Sequence, residues 1–280
     1  MGYKIISDTG ADFTPEMQEA MGLTYIPFKI DLDQEEYVDN WDLNLETLYQ
    51  HMTASPNPVR TACPSPLDYE KSVGEGEETV FIVTITSKLS GSYNAAKLAA
   101  EKLLEKFPQR KIFVIDSKTA SAGQTNVVLK LYELVKGGLA TEEILEKIQN
   151  YIEEQSTYFI LHDMSNLVKN GRIPKTAGFA LKALNINPIM TEKDGEIELF
   201  QINRGFKRGL VKLAGQIVKE LEGRSVEFLT ITHAGAQADA EFLKKKVVEK
   251  IGDKIPKINI IQTKGLSSSY ANVGGIVVGL

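Results

Sequence analysis

Two turns rich in serine and threonine contain the residues best suited to bind a ligand, and they lie about 25 residues apart. The first turn spans residues 60–66, with the sequence Arg-Thr-Ala-Cys-Pro-Ser-Pro, and the second spans residues 85–93. Each joins a predicted extended segment to the start of a predicted helix, where free backbone N–H groups and the helix dipole favour negative charge. Side by side, the two turns predict a site for a small anionic head group.

The hydroxyl groups of Thr61 and Ser90 and the backbone N–H of Gly91 are the candidate ligand contacts. Ser65 is expected to cap the helix that begins at Pro66, which leaves the Thr61 hydroxyl without a local task. Ser90 is a helix cap or a ligand contact, and it can be both at once. It follows a predicted buried strand, at the edge where α/β sheets bind ligands.

Three further side chains could take part in chemistry. Arg172 lies in a turn fixed by Gly171 and Pro174, and a guanidinium group held in this way suits a carboxylate or a phosphate. His233 ends a predicted strand and is either structural or functional. Cys63 is either a nucleophile or a packed, inert thiol, since no basic residue flanks it closely.

Two aspartates, Asp8 and Asp116, each end a predicted strand and are expected at the same edge of the sheet. A carboxylate at that position can bind the hydroxyl groups of a ligand. It can also hold a loop by accepting hydrogen bonds from backbone N–H groups, because aspartate is a strong turn former. We favour the second role for both residues.

The common catalytic motifs are missing from the sequence, which contains no phosphate-binding loop, dinucleotide-binding glycine motif or zinc-protease motif. Ser90 lies in Lys-Leu-Ser-Gly-Ser rather than in the Gly-x-Ser-x-Gly of α/β-hydrolases. A single cysteine excludes an internal disulfide bond and a multi-cysteine zinc site. We therefore predict no catalytic residues, no metal site and no cofactor. A hydrolase or acyltransferase acting on a small acyl substrate, through Ser90 with His233 or through Cys63, remains the alternative.

Composition and charge limit the classes of partner. The chain has 280 residues, of which 42% are hydrophobic and 25% charged, as in a soluble globular protein. Its net charge of −5 argues against nucleic-acid binding. No apolar run approaches the roughly 18 residues that a membrane span needs, so we expect no stable membrane insertion. The N-terminus leads into a strand-like segment without a signal peptide, and a cytoplasmic location is the expectation.

The first half of the chain alternates strands and helices, which predicts a parallel sheet covered by helices on both faces. Residues 31–42 are acidic and are predicted to form a loop. The predicted strands cover residues 3–7, 24–30, 79–86 and 111–115. The predicted helices cover residues 15–21, 43–52, 66 onward, 91–107, 121–136 and 141–155.

The second half of the chain predicts an α+β unit with a mixed sheet, because a hairpin signal at residues 192–195 accompanies long amphipathic helices. A polar segment, residues 153–156, marks the boundary, so the predicted domains are 1–156 and 157–280. The predicted strands cover residues 158–161, 189–190, 197–202, 226–232 and 258–262. The predicted helices cover residues 164–169, 177–184, 207–222 and 236–251.

Seven motifs, in order and covering nearly the whole chain, resemble those of the DegV family of bacterial fatty-acid-binding proteins. They include the family's Thr-Ser-Gln-Pro-Ser-Pro and Leu-Ser-Gly-Thr-Tyr turns and its Gly-Gly-Arg-Ile segment. In this chain they are residues 6–12, 61–66, 86–93, 114–117, 170–173, 185–189 and 231–235.

The resemblance implies a two-domain fold with one long-chain fatty acid buried between the domains. It implies that Thr61 and Ser90 contact the carboxylate and that Arg172 lies near this head group. Family members are not enzymes themselves. They hand the acid to a separate ATP-dependent, dihydroxyacetone-kinase-like fatty acid kinase, whose acyl phosphate product feeds phospholipid synthesis. A regulatory protein for which the lipid is a signal is a further alternative.

The chain departs from the family pattern at three positions near the expected head group. Ala62 and Cys63 replace a serine and a glutamine of the family turn. Tyr270 replaces the histidine of the family's Thr-His-x-Gly-Pro-Gly segment, and a tyrosine can donate a hydrogen bond without supplying positive charge at neutral pH. The predicted ligand set is therefore Thr61, Ser90, Gly91 and Tyr270. Arg172 and His233 are predicted near the head group or at the contact with the kinase.

Overall fold

A computed structural model of the chain describes residues 2–76, 79–173, 186–251 and 257–280. The helix predicted at residues 177–184 lies outside the described residues, and so does Pro174, the end of the turn that contains Arg172. No helix in these four segments is long and apolar enough to cross a membrane.

Thirteen strands and ten helices are present in the described segments. The strands are β1 (Tyr3–Asp8), β2 (Thr24–Ile26), β3 (Lys29–Leu32), β4 (Glu35–Val38), β5 (Arg60–Ala62), β6 (Thr79–Thr84), β7 (Ile112–Asp116), β8 (Thr157–Ile160), β9 (Ile189–Lys193), β10 (Glu196–Gln201), β11 (Leu229–His233), β12 (Ile258–Gln262) and β13 (Ile276–Gly279). The helices are α1 (Pro15–Met21), α2 (Leu45–Ala54), α3 (Pro66–Val73), α4 (Ser92–Lys106), α5 (Ala122–Lys136), α6 (Thr141–Glu154), α7 (Ser165–Lys169), α8 (Phe206–Gly223), α9 (Gln237–Ile251) and α10 (Gly265–Ala271).

The first sheet has the strand order β2-β1-β6-β7, and all of its neighbouring strands are parallel. Successive side chains of a strand point to opposite faces. On one face Ile5 and Phe81 pack against α5 and α6. On the other face Ile6 and Ile82 pack against α3 and α4. The predicted parallel sheet, covered by helices on both faces, is confirmed.

The second sheet has the order β10-β9-β8-β13-β11-β12. Strands β11 and β12 are parallel and the other neighbours are antiparallel, so the sheet is mixed, as predicted. One face, which carries Ile160 and Ile231, packs against α8 and α9. The opposite face carries Phe159, Met190 and Val277 and is turned away from these helices.

The acidic loop predicted at residues 31–42 is wrong in part, because β3 and β4 form an antiparallel hairpin there and β5 pairs with β3. Ile30 and Leu32 alternate with charged residues and bury their side chains against α2, beside Leu48 and Val59. The four carboxylates within residues 31–36 concealed this short alternation, since charge density is the stronger signal over so few residues.

The two larger sheets come from separate parts of the chain. The strands of the first lie within residues 3–116 and those of the second within residues 157–279. We therefore propose to keep the domain division at 1–156 and 157–280. Helix α5 contacts strands of both sheets and connects the two parts.

Candidate functional site

A cavity of about 390 Å³ lies between the carboxyl end of the first sheet and the second sheet. Gly10, Ile85 and Thr119, from the turns after β1, β6 and β7, form one wall. Phe159 and Val277, from the face of the second sheet that α8 and α9 leave uncovered, form the facing wall. The cavity thus occupies the place where parallel α/β sheets bind ligands.

Most of the cavity wall is apolar, so the cavity can accept a hydrocarbon. The apolar side chains that line it are Phe28, Ile85, Leu89, Ala120, Phe159, Leu161, Leu167, Ile197, Leu266, Ala271 and Val277.

The structure brings five of the six predicted site residues together in this cavity wall: Thr61, Ser90, Gly91, Arg172 and Tyr270. The Thr61 and Tyr270 hydroxyl groups are 2.9 Å apart and share a hydrogen bond. The Arg172 guanidinium carbon lies 5.6 Å from the centre of the Tyr270 ring, which is within cation–π distance. A cluster of hydroxyl groups beside a cation suits an anionic head group.

The turn after β6 places Ser90 and Gly91 at the start of α4. The backbone N–H groups of Leu89 and Ser90 both donate to the Thr86 carbonyl, at 3.1 and 3.3 Å. Gly91 is the residue before the helix, and the Ser90 hydroxyl oxygen accepts from the Ser92 N–H at 3.2 Å. The N-cap is therefore Gly91 and not Ser90, which lies one residue earlier, accepts from the first N–H of the helix and can donate its hydroxyl hydrogen to a ligand.

Asp8 stabilises this turn through its side-chain carboxylate. Its carboxylate is fully buried and accepts hydrogen bonds from the backbone N–H groups of Gly10 and Ile85, at 3.0 and 3.1 Å. The Ser92 hydroxyl donates to it at 2.5 Å, and the Gln124 amide donates at 2.8 Å. Burial raises the pKa of Asp8 despite these bonds.

Asp116 has a similar position after β7. Its carboxylate accepts from the backbone N–H groups of Ser87 and Lys118, at 3.1 and 3.0 Å. Both aspartates therefore hold loops at the carboxyl edge of the sheet, which is the role that we favoured from the sequence.

Two buried carboxylates that the sequence analysis missed position the helix of Tyr270. Asp39 accepts from the N–H groups of Gly265 and Leu266, at 2.6 and 2.8 Å, and Asp12 accepts from the Lys264 N–H at 2.5 Å. These donors are the first N–H groups of α10, which has no cap from its own side chains. Asp39 and Asp12 lie more than 220 residues away, so no local sequence signal could have identified them.

The approach of Asp39 to α10 requires glycine at position 265. A Cβ atom there would lie 2.8 Å from the Asp39 carboxylate and 2.5 Å from the Leu43 side chain. The start of α10 is therefore fixed closely against the first half of the chain. Burial raises the pKa of Asp12 to about 7 and also raises the pKa of Asp39.

Arg172 is held by two backbone carbonyl groups. Its Nε–H donates to the Leu89 carbonyl at 3.2 Å, and one terminal nitrogen donates to the Asn170 carbonyl at 2.9 Å. Gly171 permits the turn with a φ of +72°. The other N–H groups of the guanidinium have no hydrogen-bond partner among the residues that the structure describes.

The first turn has the cap that its sequence predicts. The Ser65 hydroxyl accepts from the Asp68 N–H, and the Asp68 carboxylate accepts from the Ser65 N–H, which forms a capping box. Cys63 lines the cavity, and burial raises the pKa of its thiol. A raised pKa disfavours the thiolate that a nucleophile needs.

The sixth predicted site residue, His233, does not line the cavity. It is buried at the end of β11, where its Nδ1 accepts from the Ala236 N–H at 3.2 Å. Burial lowers its pKa, so the ring is neutral at pH 7. Within the described segments, no group of three or more His, Cys, Asp or Glu side chains is placed to hold a metal ion.

Comparisons with known proteins agree with this fold. The family model of the DegV family matches residues 3–278. A DegV domain-containing protein of Streptococcus gordonii is 36% identical over 282 residues, which cover 100% of this chain and 99% of that protein.

Two solved structures of relatives contain fatty acids. The DegV family protein of Ruminococcus gnavus, with vaccenic acid, has a TM-score of 0.93 and 35% identity, over 100% of this chain and 99% of that one. The Streptococcus pneumoniae Fatty Acid Kinase (Fak) B3 protein, loaded with linoleic acid, has a TM-score of 0.90 and 34% identity over the same shares. Since the family model covers almost the whole chain and full-length relatives exceed 30% identity, this chain belongs to the DegV family.

Proposed function

We propose that this protein binds one long-chain fatty acid in the cavity. Thr61, Ser90, Gly91 and Tyr270 contact the carboxylate, and the hydrocarbon lies among the apolar walls. The observation that carries the proposal is the combination, in one cavity, of an apolar lining with clustered hydroxyl groups beside Arg172. Vaccenic and linoleic acid, which two full-length relatives hold, are ligands of this type.

The energetics of burial support a fatty acid. Each buried methylene group contributes about 0.8 kcal/mol, so a sixteen-carbon chain offers on the order of 10 kcal/mol before the costs of binding. A buried carboxylate is costly unless it is hydrogen-bonded. The Thr61–Tyr270 pair and Ser90 can each donate a hydroxyl hydrogen to it, and Arg172 lies beside them.

We propose that the protein is a carrier rather than an enzyme. A serine nucleophile needs a general base within hydrogen-bond distance. The hydrogen bond found at the Ser90 hydroxyl comes from the backbone N–H of Ser92, and His233 lies outside the cavity wall. These positions favour the carrier over a hydrolase or acyltransferase.

We further propose that the bound carboxylate is presented to a separate ATP-dependent fatty acid kinase in the cytoplasm, which forms an acyl phosphate for phospholipid synthesis. The name of the pneumococcal relative, a Fatty Acid Kinase (Fak) B3 protein, supports this assignment. Arg172 is placed to assist, because its guanidinium lies next to the proposed head-group site and the structure gives it only two hydrogen bonds to described residues.

The experiment that tests the binding proposal is mass spectrometry of the solvent extract from freshly purified protein, followed by titration with long-chain fatty acids. We expect about one fatty acid per chain, with its chain length and unsaturation read from the mass. A protein that is empty after purification and takes up no added fatty acid would contradict the proposal.

A further inference from the structure

One pair of polar side chains interrupts the apolar face of the second sheet. In the antiparallel pair β8–β9, Phe159 is opposite Met190, and both belong to the apolar cluster on the cavity side. Side chains alternate along each strand, so the next residues on this face are Thr157 and Glu192, one position beyond the paired Tyr158 and Thr191. Both line the cavity. They come from other elements than Thr61, Ser90, Arg172 and Tyr270, and the proposed carboxylate contacts do not use them.

Glu192 has an unused hydrogen-bonding atom. Its Oε1 accepts from the Gly195 N–H at 3.0 Å, a bond that closes the β9–β10 turn. Among the described residues its second carboxyl oxygen accepts no hydrogen bond and no cation forms a salt bridge with it. Burial raises the pKa of Glu192. A carboxyl group in an apolar wall costs free energy unless a partner in the cavity hydrogen-bonds to it.

Thr157 supplies the complementary donor. Its hydroxyl group shares one hydrogen bond with the Thr119 hydroxyl, at 2.8 Å, and both side chains are buried in the cavity wall. In a bond between two hydroxyl groups only one of the two hydrogens is used. The pair therefore keeps one hydrogen to donate, in the same cavity wall as Glu192.

We propose that Thr157 and Glu192 bind a hydroxyl group on the acyl chain, so that this protein prefers a hydroxylated long-chain fatty acid to an unsubstituted one. A hydroxyl group both donates and accepts, which matches an acceptor and a donor that lie next to each other. The inference rests on the proposed function, because the acyl chain must occupy this cavity. A site built to bind a hydroxyl group discriminates against the analogue that lacks it, since its buried polar groups are then left unpaired.

The test compares the affinities of the wild-type protein for stearate and for a series of monohydroxystearates that differ in hydroxyl position. We expect at least one isomer to bind about tenfold more tightly than stearate. Thr157→Val, which keeps the side-chain shape, and Glu192→Leu should remove this advantage while stearate still binds. Glu192→Gln keeps an acceptor for the Gly195 N–H and can bond to the hydroxyl, so it should retain the advantage. Glu196→Gln, at an exposed position of the same hairpin, is the matched control.

Two results would overturn the inference: no isomer binds the wild-type protein more tightly than stearate, or the advantage of the best isomer persists in both Thr157→Val and Glu192→Leu. A wild-type protein that binds neither stearate nor any hydroxystearate would instead overturn the proposed function itself. The two failures are therefore distinguishable in one titration series.

Discussion

The hydrogen bond between Thr61 and Tyr270 shows how single residues adapt the proposed head-group site. One of the two hydroxyl groups donates to the other, so one hydrogen is left for a carboxylate oxygen. A tyrosine side chain supplies no positive charge, and the positive charge beside it comes from Arg172. One protonated histidine could supply both a hydrogen-bond donor and a positive charge. Here the donor comes from the Thr61–Tyr270 pair and the charge from Arg172.

Ser90→Ala is expected to weaken fatty-acid retention by about ten- to hundredfold, because it removes a hydroxyl donor to a buried carboxylate. Retention through gel filtration, with the extract quantified by mass spectrometry, measures the effect. Ser65→Ala is the matched control, because Ser65 does not line the cavity. It removes the cap of α3, which costs about 1 kcal/mol of stability, and should leave retention unchanged. Equal retention in Ser90→Ala and the wild-type protein would exclude Ser90 from the site.

Arg172→Ala is expected to slow phosphorylation by the kinase much more than it weakens fatty-acid binding. Two of the Arg172 donors already bond to backbone carbonyls, and its contact with Tyr270 is through the ring rather than the hydroxyl group. The rate of acyl phosphate formation with purified kinase and ATP measures the effect. Lys169→Ala, an exposed cation nearby, is the control. A normal rate in Arg172→Ala would reject this role.

At the scale of elements, helix α10 is held at both ends by the first half of the chain. Its first N–H groups donate to Asp12 and Asp39, and Tyr270, near its last turn, bonds to Thr61. The Tyr49 hydroxyl, from α2, shares a further hydrogen bond with Ser268. The position of the Tyr270 hydroxyl therefore depends on carboxylates at the far end of its helix.

Asp39→Asn is expected to lower both stability and fatty-acid affinity. The amide can accept from only one of the two N–H groups that the carboxylate binds, and an unpaired buried N–H costs about 1–3 kcal/mol. Urea unfolding and fatty-acid titration measure the two effects. Glu220 of α8 forms a partly buried cluster with Tyr158 and Arg224, which Glu220→Gln loosens. This variant should lower stability and leave fatty-acid affinity unchanged. Wild-type affinity in Asp39→Asn would show that α10 holds Tyr270 without this cap.

At the scale of the whole molecule, Asp12 lies where the two halves of the chain meet. Its carboxyl group is bonded to Ser121 at the start of α5 as well as to α10, and Ser121 bonds in turn to Thr232 of β11. The Ser121 hydroxyl donates to the Asp12 carboxyl group, so its oxygen is free to accept from the Thr232 hydroxyl. Asp12 is fully buried, and burial favours its neutral form and raises its pKa to about 7 despite these donors.

Stability is expected to fall as the pH rises from about 5 to 7. The pKa of Asp12 is about 7 in the folded protein, against 3.8 as the ordinary value. In this window the folded chain holds a proton that the unfolded chain has lost, so its stabilising effect is complete at low pH and disappears above pH 7. The raised pKa values of Asp8 and Asp39 act in the same direction, whereas the lowered pKa values of His162 and His233 act in the opposite direction.

Urea unfolding between pH 5 and pH 8 measures this dependence. The free energy of unfolding is expected to change by roughly a few kcal/mol over this range. Asp12→Asn should reduce the slope. Asp68→Asn should keep it, because the pKa of Asp68 is lowered and its contribution is constant in this range. A slope in Asp12→Asn equal to that of the wild-type protein would contradict the assignment of a buried proton to Asp12.

The outer framework of the fold could be read from the sequence because its signals are local. The caps at Thr14 and Ser65, the first-turn prolines and the apolar strands predicted most of the described elements correctly. The β3–β4 hairpin was missed, because only Ile30 and Leu32 revealed it among charged residues. The hydroxyl-rich turns could also be identified locally, since each lies within a few residues of a helix start.

The sequence by itself determined most of the elements, the two turns and the family, because caps, alternation and motifs act over a few neighbouring residues. Only the tertiary structure decided which residues share the cavity. It brought Tyr270 to Thr61 across 209 positions and left His233 outside the wall. It also placed Asp39 on α10 and Glu192 beside Thr157 in an apolar face. Contacts of this range depend on the packing of whole sheets against each other, and the chain carries no local signal for them.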